Sequence, residues 1–173
     1  MAKLKNKSIE KLNDVFNQFF VELGYPEIDC IFSNEFVYYP ESEEISYTLL
    51  EMPLNDIGFK TYVRETYPHA PECSVMVLSL LHELGHHLTM DSISKNKMRK
   101  CKKAKKEIAE RYITTDKELI QAQIDYCGLY DEKKATEKAI EILINNYDYI
   151  LSFEEVWFNA VMKFYKENNV TFA

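Results

Sequence analysis

An α+β fold is what this sequence predicts, on three observations. Segments near both ends repeat apolar residues every three or four positions, the period of an amphipathic helix. After the first of them come three short runs rich in Ile, Val, Phe and Tyr, the composition of strands. Near the middle, a proline-free apolar segment, Val75 to Leu88, keeps the helical period and carries two histidines four residues apart. At 173 residues the chain is expected to form one domain over 1–173, long enough to bury a core.

Each element has a local cause. Ile9, Leu12, Val15, Phe16, Phe19, Phe20 and Leu23 make one apolar stripe, so Ser8 to Gly24 is a helix, stopped by Gly24 and Pro26. Ile28 to Ser33, Glu35 to Tyr39 and Glu44 to Leu50 are the strands. Pro40-Glu41-Ser42-Glu43 is a turn that pairs the second and third as a hairpin. Leu54 to Tyr67 is a helix started near Asn55 and Asp56 and halted before Pro68, with Gly58 a poor residue for its interior. Pro68 to Pro71 connects it to the histidine-bearing helix.

Downstream, Asp91 to Lys106 gathers Lys95, Lys97, Arg99, Lys100, Lys102, Lys103, Lys105 and Lys106, which read as a solvated loop or helix face lying outside any chemistry. Asp116 to Tyr130 and Asp131 to Ile144 are helical, with a break around Gly128. Ser152 to Asn168 closes the chain as a helix in which Ser152 and Glu155 suit a capping box, and its aromatic stripe reads as core. No repeat or linker marks a second domain.

Composition narrows the functional classes. Hydrophobic residues at 46% and charged residues at 28% are ordinary for a globular protein and argue against disorder. The net charge of -7 argues against a general nucleic-acid binder. No signal peptide opens the sequence and no apolar run is long enough to span a membrane, so a cytoplasmic protein is expected. Cys30, Cys73, Cys101 and Cys127 are scattered without a Cys-x-x-Cys pair, which fits free thiols in a reducing compartment rather than a zinc ribbon or a redox motif.

The chemistry concentrates in Leu80-Leu81-His82-Glu83-Leu84-Gly85-His86-His87-Leu88. Residues four apart lie one above the other on a helix, so His82 and His86 can offer two imidazole nitrogens to one metal ion. Glu83 follows the first ligand and can take a proton from metal-bound water without binding the ion itself. Two buried, hydrogen-bonded core histidines are the bland alternative. The four-residue spacing with Glu83 beside His82 argues against it.

A catalytic zinc site commonly has three protein ligands and an open position. Ser92 stands where a third histidine of a His-x-x-Gly-x-x-His continuation would be, so that pattern is excluded. His87 is turned about 100° from His86 on the same helix, and His69 lies in a Pro-flanked loop. A downstream carboxylate is therefore expected.

Here the sequence resembles a known family. With Leu81-His82-Glu83-Leu84-Gly85-His86, the residues Glu132, Ala135 and Ala139 are similar to the Glu-x-x-Ala-x-x-x-Ala helix of the ImmA/IrrE-like zinc metallopeptidases. The order of elements over residues 9–145 resembles that family too. Lys134, Lys138 and Ile142-Leu143 depart from it, standing where members commonly carry a second acid, an aromatic residue and a Met-Pro-like helix end. The resemblance implies that Glu132 is the third zinc ligand, with Asp131, Glu137 and Asp125 the alternatives, and that the alanines let its helix pack closely on the metal helix.

It also implies a zincin-like α+β domain, a small sheet against a helical layer with the metal between two helices. The expected activity is peptide-bond hydrolysis by a cytoplasmic bacterial or phage-associated enzyme acting on a regulatory protein, such as a transcriptional regulator. Zinc would be held by His82, His86 and Glu132, with Glu83 as general base and then proton donor to the leaving amine. The same ligand set also serves non-haem iron. An edge strand, Glu44 to Leu50, is the expected docking place for an extended substrate. Tyr126, Tyr130, His69 and His87 are the candidates for an added donor to the tetrahedral intermediate. The rival reading is a non-catalytic, metal-stabilised protein that engages a partner through its basic segment.

Overall fold

The computed structural model describes residues 6–49 and 53–168. Among these the chain is α+β and mostly helical, with seven α-helices and one three-stranded mixed sheet. The described residues divide into two compact units, one built from 6–49 and 146–168 and the other from 53–145.

The first unit holds helix α1 (Asn6–Glu22), strands β1 (Asp29–Phe32), β2 (Val37–Tyr39) and β3 (Glu44–Tyr47), and helix α7 (Tyr147–Asn168). Gly24 ends α1 at φ 92°, which lets Tyr25 N donate to Phe20 O at 2.8 Å and Gly24 N to Val21 O at 3.0 Å. A left-handed glycine with this pair of backward bonds is a Schellman stop. The buried stripe of α1, Leu12, Phe16, Phe19 and Phe20, meets aromatic partners from the sheet and from α7. Phe16 lies 4.2 Å from Tyr47 and Phe19 4.1 Å from Phe153, centroid to centroid. The Tyr47 hydroxyl reaches Asn13 Oδ1 at 2.7 Å, so the deepest tyrosine of this core keeps its polar end paired.

The expected hairpin forms, with β2 antiparallel to β3, but β1 joins parallel to the other side of β3, giving the order β1-β3-β2. Glu44–Tyr47 is therefore the central strand, not an edge. Ile45, Ser46 and Tyr47 are buried, and both sides of the backbone are engaged in the ladder, so this segment has no free edge to offer a substrate strand. Leu50, the end of the expected strand, lies outside the described residues.

Helix α7 also differs from expectation. It begins at Tyr147, because Ile150 and Phe153 extend the apolar stripe one turn earlier, and both are buried. Ser152 is thus inside the helix, and its hydroxyl donates to Tyr149 O at 2.7 Å instead of capping. Of the stripe read as core, Phe153, Val161 and Phe164 are buried while Val156 is exposed.

The second unit is all helical: α2 (Pro53–Thr66), α3 (Val75–Thr89), α4 (Lys95–Ala109), α5 (Asp116–Cys127) and α6 (Tyr130–Asn145), with a single 3-10 turn over Met90–Ser92. Helix α2 starts at Pro53, earlier than Asn55, as suits a residue whose missing N–H costs nothing in the first turn. Gly58 is tolerated inside α2 because α5 crosses there; a β-carbon would meet Gln123 Cβ at 2.7 Å. Thr115 and Glu118 form a capping box at the start of α5, and the chain breaks around Gly128 before α6.

Helices α3 and α6 form the centre of this unit. Val77, Leu80, Leu81 and Leu84 from α3 and Ala135, Ala139 and Leu143 from α6 are all fully buried. The two small residues of α6 allow close approach, and on α3 Gly85 matches them. A β-carbon on Gly85 would come within 2.8 Å of the Ala135 carbonyl carbon and 2.9 Å of its Cα, nearer than real atoms pack.

Candidate metal centre

Ser74 opens α3 by accepting a hydrogen bond from Val77 N at 3.3 Å, and the helix then runs unbroken to Thr89. This places His82 and His86 on one face, one turn apart, directed at the first turn of α6. There Glu132 presents its carboxylate. Its Oε2 lies 3.0 Å from His82 Nε2 and 3.3 Å from His86 Nε2. Ligand atoms of the three residues all fall within 4.8 Å of one another, so the group could hold a metal ion. Two ligands about 2.0–2.1 Å from one tetrahedral ion sit roughly 3.3 Å apart, which matches this spacing.

Thr136 fixes the state of His82. Its hydroxyl, fully buried one turn beyond Glu132, donates to the Glu132 carbonyl at 2.9 Å and lies 3.0 Å from His82 Nδ1. Having spent its one proton on the carbonyl, the hydroxyl accepts from Nδ1–H. Nε2 then faces the Glu132 carboxylate. Two electron-rich atoms in that position require a cation between them, a proton or a metal ion, and the donor set of two imidazoles and a carboxylate suits a divalent metal.

The charges agree. Burial alone would raise the Glu132 carboxyl, but its contacts with His82 and His86 outweigh that and hold it well below the ordinary carboxylate range. Burial disfavours a charged His86, yet the Glu132 hydrogen bond and the charges of Glu132 and Glu83 win, and His86 is raised. The site is thus arranged to keep a negative charge and draw positive charge to it.

Lys105 corrects the reading of the basic run. Seven of its eight cations are exposed, as expected of a solvated helix face, but Lys105 lies on the side of α4 that also carries buried Cys101, and it turns inward. Its ammonium bonds Glu132 Oε1 and lies 2.7 Å from Asp131 Oδ2. Burial opposes that charge, and the two carboxylates more than compensate, so the ammonium is held above the usual lysine range. The Lys105 Nζ is also 5.2 Å from the centre of the Tyr126 ring.

The other acids separate clearly. Asp131 is buried at 3% exposure but is engaged by Lys105 and stands outside the His-His-Glu group. Asp125 pairs with Arg111 and with Gln121 at 2.9 Å, and Glu137 pairs with Lys134 at 2.6 Å. His69 is exposed, and neither it nor His87 joins the group. Glu83 is half-buried and its charge bears on both His86 and Tyr126. Of the two tyrosines, Tyr126 is the one that feels the site. Burial and the Glu132 charge push its hydroxyl up to about 12, keeping it protonated and able to donate. Tyr130 is exposed and carries Lys97 over its ring at 4.0 Å.

Sequence reasoning had not singled out Thr136 or Lys105. Thr136 stands four residues after Glu132, on the same helical face, which is the place for a residue that orients a ligand. Cys101, Lys105 and Ile108 follow the helical period, so Lys105 falls on the apolar side of an otherwise basic helix. No family model, curated protein or solved structure matches the chain. No helix among the described residues is long and apolar enough to cross a membrane.

Proposed function

We propose that this protein is a zinc-dependent peptidase with a zincin-like site, acting on a regulatory protein such as a transcriptional regulator. The observation that carries the reading is the convergence of His82, His86 and Glu132, with Glu83 directly after the first histidine on the same helix. Zinc held by these three residues supplies a Lewis acid that acidifies water and polarises a carbonyl. It is preferred to iron because its borderline character and four-coordinate habit suit a compact imidazole-carboxylate set.

The chain's own residues divide the remaining work. Glu83 takes the proton of the attacking water and passes it to the departing amine, a role open to a half-buried carboxylate next to the ligand face. Tyr126, kept protonated, donates to the oxygen on which negative charge develops. Thr136 holds His82 with Nε2 directed at the site. A structural zinc site is commonly closed by four ligands rich in cysteine, whereas this group offers three, with no cysteine among them. That difference favours an enzyme over a metal-stabilised binding protein.

Glu83→Gln tests the reading, because it keeps size and removes basicity. With candidate regulators co-expressed as substrates, the variant retains zinc and loses at least about a hundredfold in cleavage rate. Cleavage at the parental rate removes Glu83 as the base. Capture of one intact partner by both forms, without cleavage by either, favours the binding role.

A further inference from the structure

We infer that Lys105 is a positioning residue that sets how the metal is held: it occupies one oxygen of Glu132 and the adjacent Asp131, leaving Glu132 a single oxygen for the ion. The inference rests on the metal-site reading above and adds what determines the site's coordination number and metal preference.

The two carboxylate oxygens of Glu132 have different surroundings. Oε2 lies between the two histidine nitrogens, and Oε1 is bonded to the Lys105 ammonium. An oxygen already committed to a cation on one side is a poor second ligand, so the carboxylate binds through one oxygen. The same ammonium holds Asp131 Oδ2 at 2.7 Å. Asp131 is the next residue in the chain, its side chain is 4% exposed, and its Oδ1 has no hydrogen-bond partner. Lys105 is the cation the structure gives this buried carboxylate.

Coordination number follows from this. With Lys105 in place the protein supplies two nitrogens and one oxygen, the three-ligand set of a four-coordinate zinc site. Without it, Glu132 is free to bind through both oxygens. A site with more oxygen ligands and a higher coordination number favours harder ions such as manganese(II) over zinc. Lys105 lies on α4 and the ligands on α3 and α6, so the control comes from a helix that carries no ligand.

The test compares the full-length parent with Lys105→Met and Lys105→Arg, stripped of metal and titrated with zinc, manganese(II) and cobalt(II). The expected result for Lys105→Met is a fall of about 10–100-fold in the preference for zinc over manganese(II), the usual scale for outer-shell partners. The visible cobalt bands weaken with it as coordination exceeds four. Lys105→Arg restores part of each. Since Lys105→Met leaves Asp131 buried without its cation, the double variant with Asp131→Asn serves where the single one does not fold. It removes that charge but still frees Glu132, and the same weakening of the cobalt bands is expected. Unchanged affinity, preference and spectrum in these variants, with a parent that binds zinc, overturn the role of Lys105 alone. Tighter zinc binding by Lys105→Met with an unchanged cobalt spectrum overturns it as well, by making the lysine a competitor of the metal. A parent that binds none of the three ions overturns the site reading and this inference together.

Discussion

Gly85 on α3 lies against the backbone of Ala135 on α6 so closely that no side chain, even a methyl group, fits between them. Gly85 is one residue before His86, and Ala135 is three residues after Glu132. The contact is therefore the place where two helices are brought near enough for a carboxylate on one to reach two imidazoles on the other. Glycine is a poor helix former, by about 1 kcal/mol against alanine. Its presence here follows from packing, not from the needs of the helix.

Gly85→Ala accordingly has two opposed effects, and packing wins. The gain in helix propensity is smaller than the cost of forcing α3 from α6, because the obstructing atoms are backbone and cannot swing aside. The variant is expected to be less stable by about 1–3 kcal/mol in urea unfolding. Its zinc affinity also falls as Glu132 moves away from the histidines. An increase in stability contradicts the close approach.

Thr136→Val keeps the shape of the side chain and removes the hydroxyl that faces His82 Nδ1 at 3.0 Å. His82 then loses the partner that directs its other nitrogen at Glu132. Zinc affinity is expected to drop about 10–100-fold, with Thr136→Ser close to the parent. Isothermal titration against a competing chelator measures it, and a Val variant as tight as the parent denies the orienting role.

Glu132→Ala and Glu137→Ala separate the acids of α6. The first removes the carboxylate that lies against both histidines and is expected to abolish stoichiometric zinc. The second removes a partner of Lys134 at the surface and is expected to leave zinc content unchanged. Metal analysis of both purified variants decides. The reverse pattern assigns the third ligand to Glu137.

Much of this was legible because its causes are local. The four-residue step from His82 to His86, the apolar stripe of α3 and the stop at Gly24 depend on residues close in sequence, and each appears in the structure where the pattern puts it. Glu132 was named through a family resemblance, with Asp125, Asp131 and Glu137 as alternatives; only the packing of α6 on α3 separates it from them. What sequence did not give is non-local. The parallel pairing that places β3 in the centre of its sheet depends on β1 returning alongside it, and the hairpin signal says nothing of that. Lys105 was hidden among its seven basic neighbours: its step from Cys101 puts it on the apolar side of α4, but the two carboxylates its ammonium meets come from another helix. The start of α7 was misplaced because Ser152 and Glu155 carry the residue types of a cap, and burial of Ile150 outweighs them.

The central claim is that His82, His86 and Glu132 hold one metal ion, and zinc binding by the chelator-stripped protein tests it most directly. The parent and Glu83→Gln are expected to bind one zinc per chain. His82→Ala and His86→Ala are expected to bind little under the same conditions, because loss of one of three ligands sharply weakens the site. A parent that takes up no zinc, or histidine variants that bind it as fully as the parent, would contradict the account.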